Sequence, residues 1–201
     1  MGAITAGSAK YNVLRKGLVD HEHETAKRAG RNCVKNLFLF PGGIAEIFQA
    51  GPGRHTIVLK CRRGLCRLCL ESDSTLVPCY AFGVNDFYRN LLLSGSGGQE
   101  SWIGKLSRKL QIGVALFWGP LGPFCPLVPF QPPNGVQFCF GEGIQMQQFC
   151  SDKTAFSAMP TEERERLVDK VLARYIEEIQ TVFDKYKVVC GCSPDAKLEI
   201  L

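Results

Sequence analysis

The sequence predicts an α/β fold: a mostly parallel central sheet flanked by helices, followed by a long C-terminal amphipathic helix. Three observations carry this. Asn36-Leu37-Phe38-Leu39-Phe40 is a short apolar run stopped by Pro41-Gly42-Gly43, the pattern of a strand buried on both faces that feeds a tight turn. Leu65, Leu68 and Cys69 recur at spacings of three and four, with Arg63 and Arg67 on another face, which is helical periodicity. From Leu167 to Tyr186, Val168, Val171, Leu172, Tyr175, Ile176, Ile179, Val182 and Phe183 form one stripe, as a core-facing helix requires.

Taken in order, the first run and the helix at Gly64–Glu71 combine with a further strand at Leu76–Phe82 into a strand–helix–strand crossover. Pro78 must sit at a strand start or an edge, because proline cannot donate to a ladder. Val136–Phe140 is another strand by its β-branched and aromatic content. The last helix spans roughly Thr161 to Lys187: Pro160, Glu162 and Glu163 open it and Lys185 and Lys187 close it, matching the macrodipole at both ends. Leu93–Gly98 is glycine-serine rich and reads as a surface loop.

The 201 residues, 45% hydrophobic and 21% charged, suffice for one core and lack the signature of disorder. The net charge of +5 suits an anionic membrane or a phosphate-bearing substrate. Basic residues thicken at Lys60, Arg62, Arg63 and Arg67 and again at Lys105, Arg108 and Lys109. They lack the interleaved exposed aromatics of a single-strand binder, so nucleic acid is not the expected partner. Ten cysteines without a leading signal peptide read as reduced thiols. No targeting signal and no run of about twenty apolar residues is visible. Leu110–Gly141 carries no charge or histidine, yet six prolines from Pro120 to Pro133 forbid a continuous helix. It is either a surface touching bilayer or acyl chain or an internal loop packed on the core.

Among motifs, Cys61, Cys66 and Cys69 have the C-x4-C-x2-C spacing of plant-type iron-sulfur proteins, but two of the three fall on the helix as small apolar residues and no fourth ligand is evident. His21-Glu22-His23-Glu24 sits in a polar connector, and His55 in a loop, where exposure is expected. No Gly-x-Ser-x-Gly elbow exists. The remaining pairing is the Pro41-Gly42-Gly43-Ile44-Ala45-Glu46 turn with Lys60-Cys61-Arg62-Arg63-Gly64 opening a helix. Glycines at a strand end let a ligand approach the backbone, and cations at a helix start can hold phosphates there.

These residues, with Leu76–Asp86, Val128-Pro129-Phe130, Phe140-Gly141-Glu142-Gly143-Ile144 and Phe183–Lys187 in the same order, give the chain a resemblance to the type-2 diacylglycerol acyltransferase family. The resemblance implies one acyltransferase-like domain over residues 1–201. It also implies transfer of a fatty acyl group from acyl-coenzyme A to a hydroxyl of diacylglycerol or a related neutral lipid at the endoplasmic reticulum membrane. No metal or redox cofactor is implied. The acceptor is open among diacylglycerol, monoacylglycerol, wax alcohol and sterol. By the same resemblance, Glu46 orients or polarises the reacting centre, Gly42 and Gly43 give access, and Lys60, Arg62, Arg63 and Gly64 meet the acyl-coenzyme A phosphates.

The family's His-Pro-His-Gly motif, whose histidine would deprotonate the acceptor, does not occur in this sequence. In the family it stands upstream of the Pro-Gly-Gly turn, behind a hydrophobic membrane hairpin, so the chain is expected to be the C-terminal portion of such an enzyme. The alternative is a catalytically inactive lipid-binding fragment or degenerate homologue. Val84 replaces the family's usual glutamate and Gly143 its usual proline.

Overall fold

The computed structural model describes residues 37–43, 46, 49, 51–87, 89–90, 117–118, 120, 130–151 and 153–201. In chain order they form β1 (Thr56–Ile57), α1 (Arg63–Ser72), β2 (Cys79–Phe82), β3 (Arg89–Asn90), β4 (Phe117–Trp118), β5 (Gln137–Phe140), α2 (Lys153–Ala158), α3 (Thr161–Tyr186) and β6 (Glu199–Ile200). The architecture is α/β in its mixture of helices and short strands.

Helix α1 buries Cys66, Leu68, Cys69 and Leu70; Leu68 and Cys69 belong to the predicted stripe, whereas its third member, Leu65, is only half-buried. It ends at Asp73, whose left-handed backbone (φ 48°) returns its N–H to the Cys69 carbonyl, a conformation aspartate tolerates because its short polar side chain can bond locally. Helix α3 turns Val168, Val171, Leu172, Tyr175, Ile179, Val182 and Phe183 inward. Its Glu162 and Glu163 stand in the first turn and Lys185 in the last. Phe183 lies at the middle of the aromatic core, stacked on Phe82 at 5.6 Å and edge-on to Tyr80 at 5.2 Å.

The strands depart from expectation in direction. β2 and β5 pair antiparallel, Cys79 opposite Phe140 and Phe82 opposite Gln137, and β3 pairs antiparallel with β4. Only β1 and β6 run parallel among the described residues, Thr56 opposite Glu199. A mostly parallel sheet is therefore not what the described strands build. The physical reason is visible in β2 and β5. Their residues alternate, with Tyr80 and Phe82 buried on one face and Phe138 and Phe140 exposed, as in an antiparallel sheet with one covered face.

Leu37–Phe40 is the second correction. It forms no ladder, and Phe38 and Phe40 are 56% and 65% exposed, so it is not a doubly buried strand. Helix α1 instead follows β1, and the expected crossover from 36 to 82 is absent among the described residues. Apolar content alone cannot tell a buried strand from an apolar surface segment. The stretches at 1–11, 21–24, 93–98, 105–109 and most of 110–129 lie outside the described residues. No described helix is long and apolar enough to cross a membrane.

The C-terminal residues clasp the segment that leads into α1. Leu201 donates to the Ile57 carbonyl at 2.9 Å, and its own carbonyl accepts from Leu59 and Lys60, both at 2.9 Å. These bonds fix the path of the chain between β1 and α1.

Candidate active site

Two backbone segments meet at Glu46. The first is the turn after the apolar run, where Gly43 has φ 59°, a left-handed backbone that glycine adopts without steric cost. Its carbonyl accepts from the Glu46 N–H at 3.2 Å. The second is the exit of β1, whose Val58 N–H donates to Glu46 Oε1 at 3.0 Å. Arg62, at the entry to α1, straps them together by donating from Nη2 to the Gly42 carbonyl at 2.7 Å.

Gly42 is required by the carboxylate itself. A Cβ there would stand 1.6 Å from Glu46 Cδ, far inside contact distance, so the side chain of Glu46 folds back over a position only glycine leaves open. Because the clash is with the mobile end of a side chain, Gly42→Ala would displace the carboxylate and spare the fold. An ångström of misplacement at a reacting centre can cost up to about a hundredfold. Steady-state assay of the Gly42→Ala full-length protein is expected to show a loss of roughly ten- to a hundredfold in turnover with an unchanged thermal midpoint.

Burial pushes the Glu46 carboxyl above its ordinary value, and the Val58 N–H and the Arg62 charge pull it back less strongly. A desolvated carboxylate held by one donor near one cation can orient or polarise a neighbouring group.

The predicted cations divide. Arg62 joins the Gly42–Glu46 turn, and its Nε has no partner among the described residues. Arg63 faces helix α3, where Nη2 meets Glu165 Oε2 at 3.1 Å and Asp169 Oδ1 at 2.7 Å. Arg67 is also paired with Glu165. Lys60 is exposed beside the Leu201 clasp, and Gly64 is half-buried in the first turn of α1. No side chain caps that helix start and no acidic residue occupies its first turn, so its positive end is not neutralised from within α1.

Sequence reasoning missed the Val58 N–H and the Arg62 strap, which are backbone contacts that residue types do not announce. It also misplaced His55. The ring is half-buried, 5.0 Å from Phe183, with Nδ1 3.2 Å from Tyr80 Oη. Burial holds its pKa down, partly opposed by Asp86, so a neutral ring can accept the tyrosine proton. Tyr80 is pushed up chiefly by its own burial, with smaller contributions from Cys192, Glu46 and Asp86.

Cys66 and Cys69 are buried in α1 and pushed up to about 12 by that burial, while Cys61 is exposed. Among the described residues no group of three or more His, Cys, Asp or Glu could hold a metal ion. A recess of about 90 Å³ lined by Arg67, Glu71, Phe156, Thr161, Arg164 and Glu165 shares no residue with the Gly42–Glu46 turn. It belongs to the seam between α1, α2 and α3, and it is too small for an acyl-coenzyme A.

Comparison with known proteins places the chain in a family. A family model described as diacylglycerol acyltransferase matches residues 5–201. Diacylglycerol O-acyltransferase 2 of Danio rerio is 34% identical over 167 residues, which cover 79% of this chain and 41% of that protein. Diacylglycerol O-acyltransferase 2 of Xenopus tropicalis is 31% identical, over 99% of this chain and 54% of its own length. 2-acylglycerol O-acyltransferase 3 of Homo sapiens is 32% identical, over 77% of this chain and 42% of its own length. The chain thus spans about half the length of the curated relatives it matches. No solved structure matches it.

Proposed function

The chain belongs to the diacylglycerol acyltransferase family, and from that premise we propose that the protein carrying it transfers a fatty acyl group from acyl-coenzyme A to a hydroxyl of diacylglycerol or a similar neutral lipid. The observation that carries the proposal for these residues is the lacing of Gly42, Glu46, Val58 and Arg62 by hydrogen bonds of 2.7 and 3.0 Å. It joins a desolvated carboxylate to the start of a cationic helix.

In the reaction, the acceptor oxygen attacks the thioester carbonyl, the carbon–sulfur bond breaks, and coenzyme A leaves as the thiol once it has taken up a proton. Glu46 orients or polarises the reacting centre. Gly42 and Gly43 keep side chains out of its approach. Lys60 and Arg62 meet the phosphates together with the open N-terminus of α1, near Gly64. Arg63 contributes only by leaving its partners on α3, a change that costs little because exposed ion pairs are worth about 0–1 kcal/mol. The histidine that the family resemblance assigns to proton removal is not in this sequence, and none of these residues replaces it.

The lipid side of the reading rests on the aromatic surface beside the turn. Phe38 and Phe40 lie edge to face at 5.0 Å, Phe38 is 6.4 Å from Phe138, and all three rings, with Phe140, are exposed. An apolar patch of this kind suits an acyl chain or the surface of a membrane, and the endoplasmic reticulum membrane is the proposed location.

The test supplies purified full-length protein with labelled acyl-coenzyme A and diacylglycerol in vesicles. Labelled triacylglycerol is expected. Binding of acyl-coenzyme A without product would instead establish the inactive lipid-binding reading. In the same assay Arg62→Ala is expected to raise KM for acyl-coenzyme A about tenfold, the size of one lost charge-assisted hydrogen bond. Arg63→Ala should change KM far less.

A further inference from the structure

We propose that Cys139 and Cys190 form a reversible disulfide when the protein meets a peroxide. Their Sγ atoms are 3.7 Å apart, in van der Waals contact, although the residues lie 51 positions apart in sequence.

The backbone on both sides is fixed. Cys139 sits on β5 opposite Tyr80 of β2. Cys190 sits in the turn after α3, its N–H donating to the Tyr186 carbonyl at 2.9 Å, and the Cys192 N–H donating to the Lys187 carbonyl at 2.8 Å. Gly191 between them has φ 84°, and the space a Cβ would take there is filled by Asn134 Nδ2, 1.8 Å away. That same Nδ2 lies 3.4 Å from the Cys190 carbonyl, to which it donates. Asn134, three residues before β5, thus ties the Cys190 turn to the strand that carries Cys139. Two sulfurs already in contact, on segments tied together in this way, are placed for a disulfide.

Cys139 is half-buried and Cys190 buried. Burial, followed by the hydrogen bond to Cys139, pushes the Cys190 thiol up to about 11. Cys139, the more exposed of the two sulfurs, is the one a peroxide reaches first. The Cys139 thiolate attacks the peroxide, the oxygen–oxygen bond breaks, and hydroxide leaves as water, giving a sulfenic acid. Cys190 sulfur then attacks Cys139 sulfur, and the departing hydroxide takes the Cys190 proton as a second water. Two thiols lose two electrons and peroxide gains them.

The test treats the folded full chain with equimolar hydrogen peroxide, alkylates the remaining thiols and maps the peptides by mass spectrometry. The expected result is loss of both Cys139 and Cys190 to alkylation, a peptide linking them, and recovery of both thiols with dithiothreitol. Cys192→Ser retains the link, while Cys190→Ser leaves a sulfenic acid on Cys139 that dimedone traps. The proposal is overturned if the wild-type map shows both thiols free, if Cys139 is linked to Cys79 or Cys192 instead, or if guanidinium-unfolded chain gives the same pairing.

Discussion

Glu46→Gln lowers kcat of acyl transfer by about a hundred- to a thousandfold, the usual cost of removing one preorganised polar group from a reacting centre, and leaves the protein folded. Gln keeps the shape and a carbonyl oxygen for the Val58 N–H, now 3.0 Å from Oε1, and it loses only the charge. The pH behaviour separates a chemical from a structural role. Burial sets the folded Glu46 carboxyl above its unfolded value. If the carboxylate is the working form, wild-type activity falls as pH drops through that raised pKa, and the residual activity of Glu46→Gln lacks this acid limb. The sign for stability is opposite. The folded state holds the proton more tightly, so this stabilising contribution is complete below the unfolded carboxylate range and is lost as pH rises through the folded pKa. At neutral pH the buried charge is a net liability, and Glu46→Gln should match or slightly exceed the wild-type thermal midpoint. A polar group retained at a cost in stability is what functional sites often show.

Phe183→Ala produces the reverse pattern. Phe183 is fully buried and touches Phe82 and Tyr80 in the aromatic core, with His55 5.0 Å away. Removing the ring leaves a cavity between α3 and β2, which rigid neighbours cannot fill. The expected loss is about 3–5 kcal/mol. For a chain of this size the thermal midpoint falls by roughly 6–20 °C. The fraction that remains folded should turn over at the wild-type kcat, because Phe183 belongs to the aromatic core and not to the turn that Gly42, Glu46 and Arg62 build. Thermal denaturation together with an assay well below the midpoint checks both halves. Together the two variants separate the core from the chemistry.

Some of this was legible in the sequence because periodicity encodes burial. The α1 spacing gave Leu68 and Cys69, though it also named the half-buried Leu65 and passed over Leu70, and the α3 stripe gave every buried apolar position from Val168 to Phe183. Strand direction was not legible, since Leu37–Phe40 and Cys79–Phe82 are both short apolar runs. Only the described pairing reveals that one makes no ladder and the other is antiparallel. In the site, residue type and order marked Gly42, Glu46 and Arg62 through the family resemblance. The reason for Gly42 needed coordinates, because it depends on where the Glu46 carboxylate lies. Arg63 looked equivalent to Arg62 in sequence, yet it is one residue further round α1 and meets the acids of α3. His55 was read as exposed because a Gly51-Pro52-Gly53-Arg54 lead-in resembles a free loop, whereas Asn85 Nδ2 holds the Arg54 carbonyl at 2.7 Å and the ring turns in toward Tyr80.

The decisive measurement is the rate of triacylglycerol formation from labelled acyl-coenzyme A and diacylglycerol by purified full-length protein, taken across pH for wild type and Glu46→Gln. A working Glu46 carboxylate gives product from wild type with an acid limb, and a residual rate without that limb from the variant. Absence of product from wild type, or a Glu46→Gln profile that overlays the wild-type one, would contradict the role assigned to Glu46 and the acyl transfer it serves.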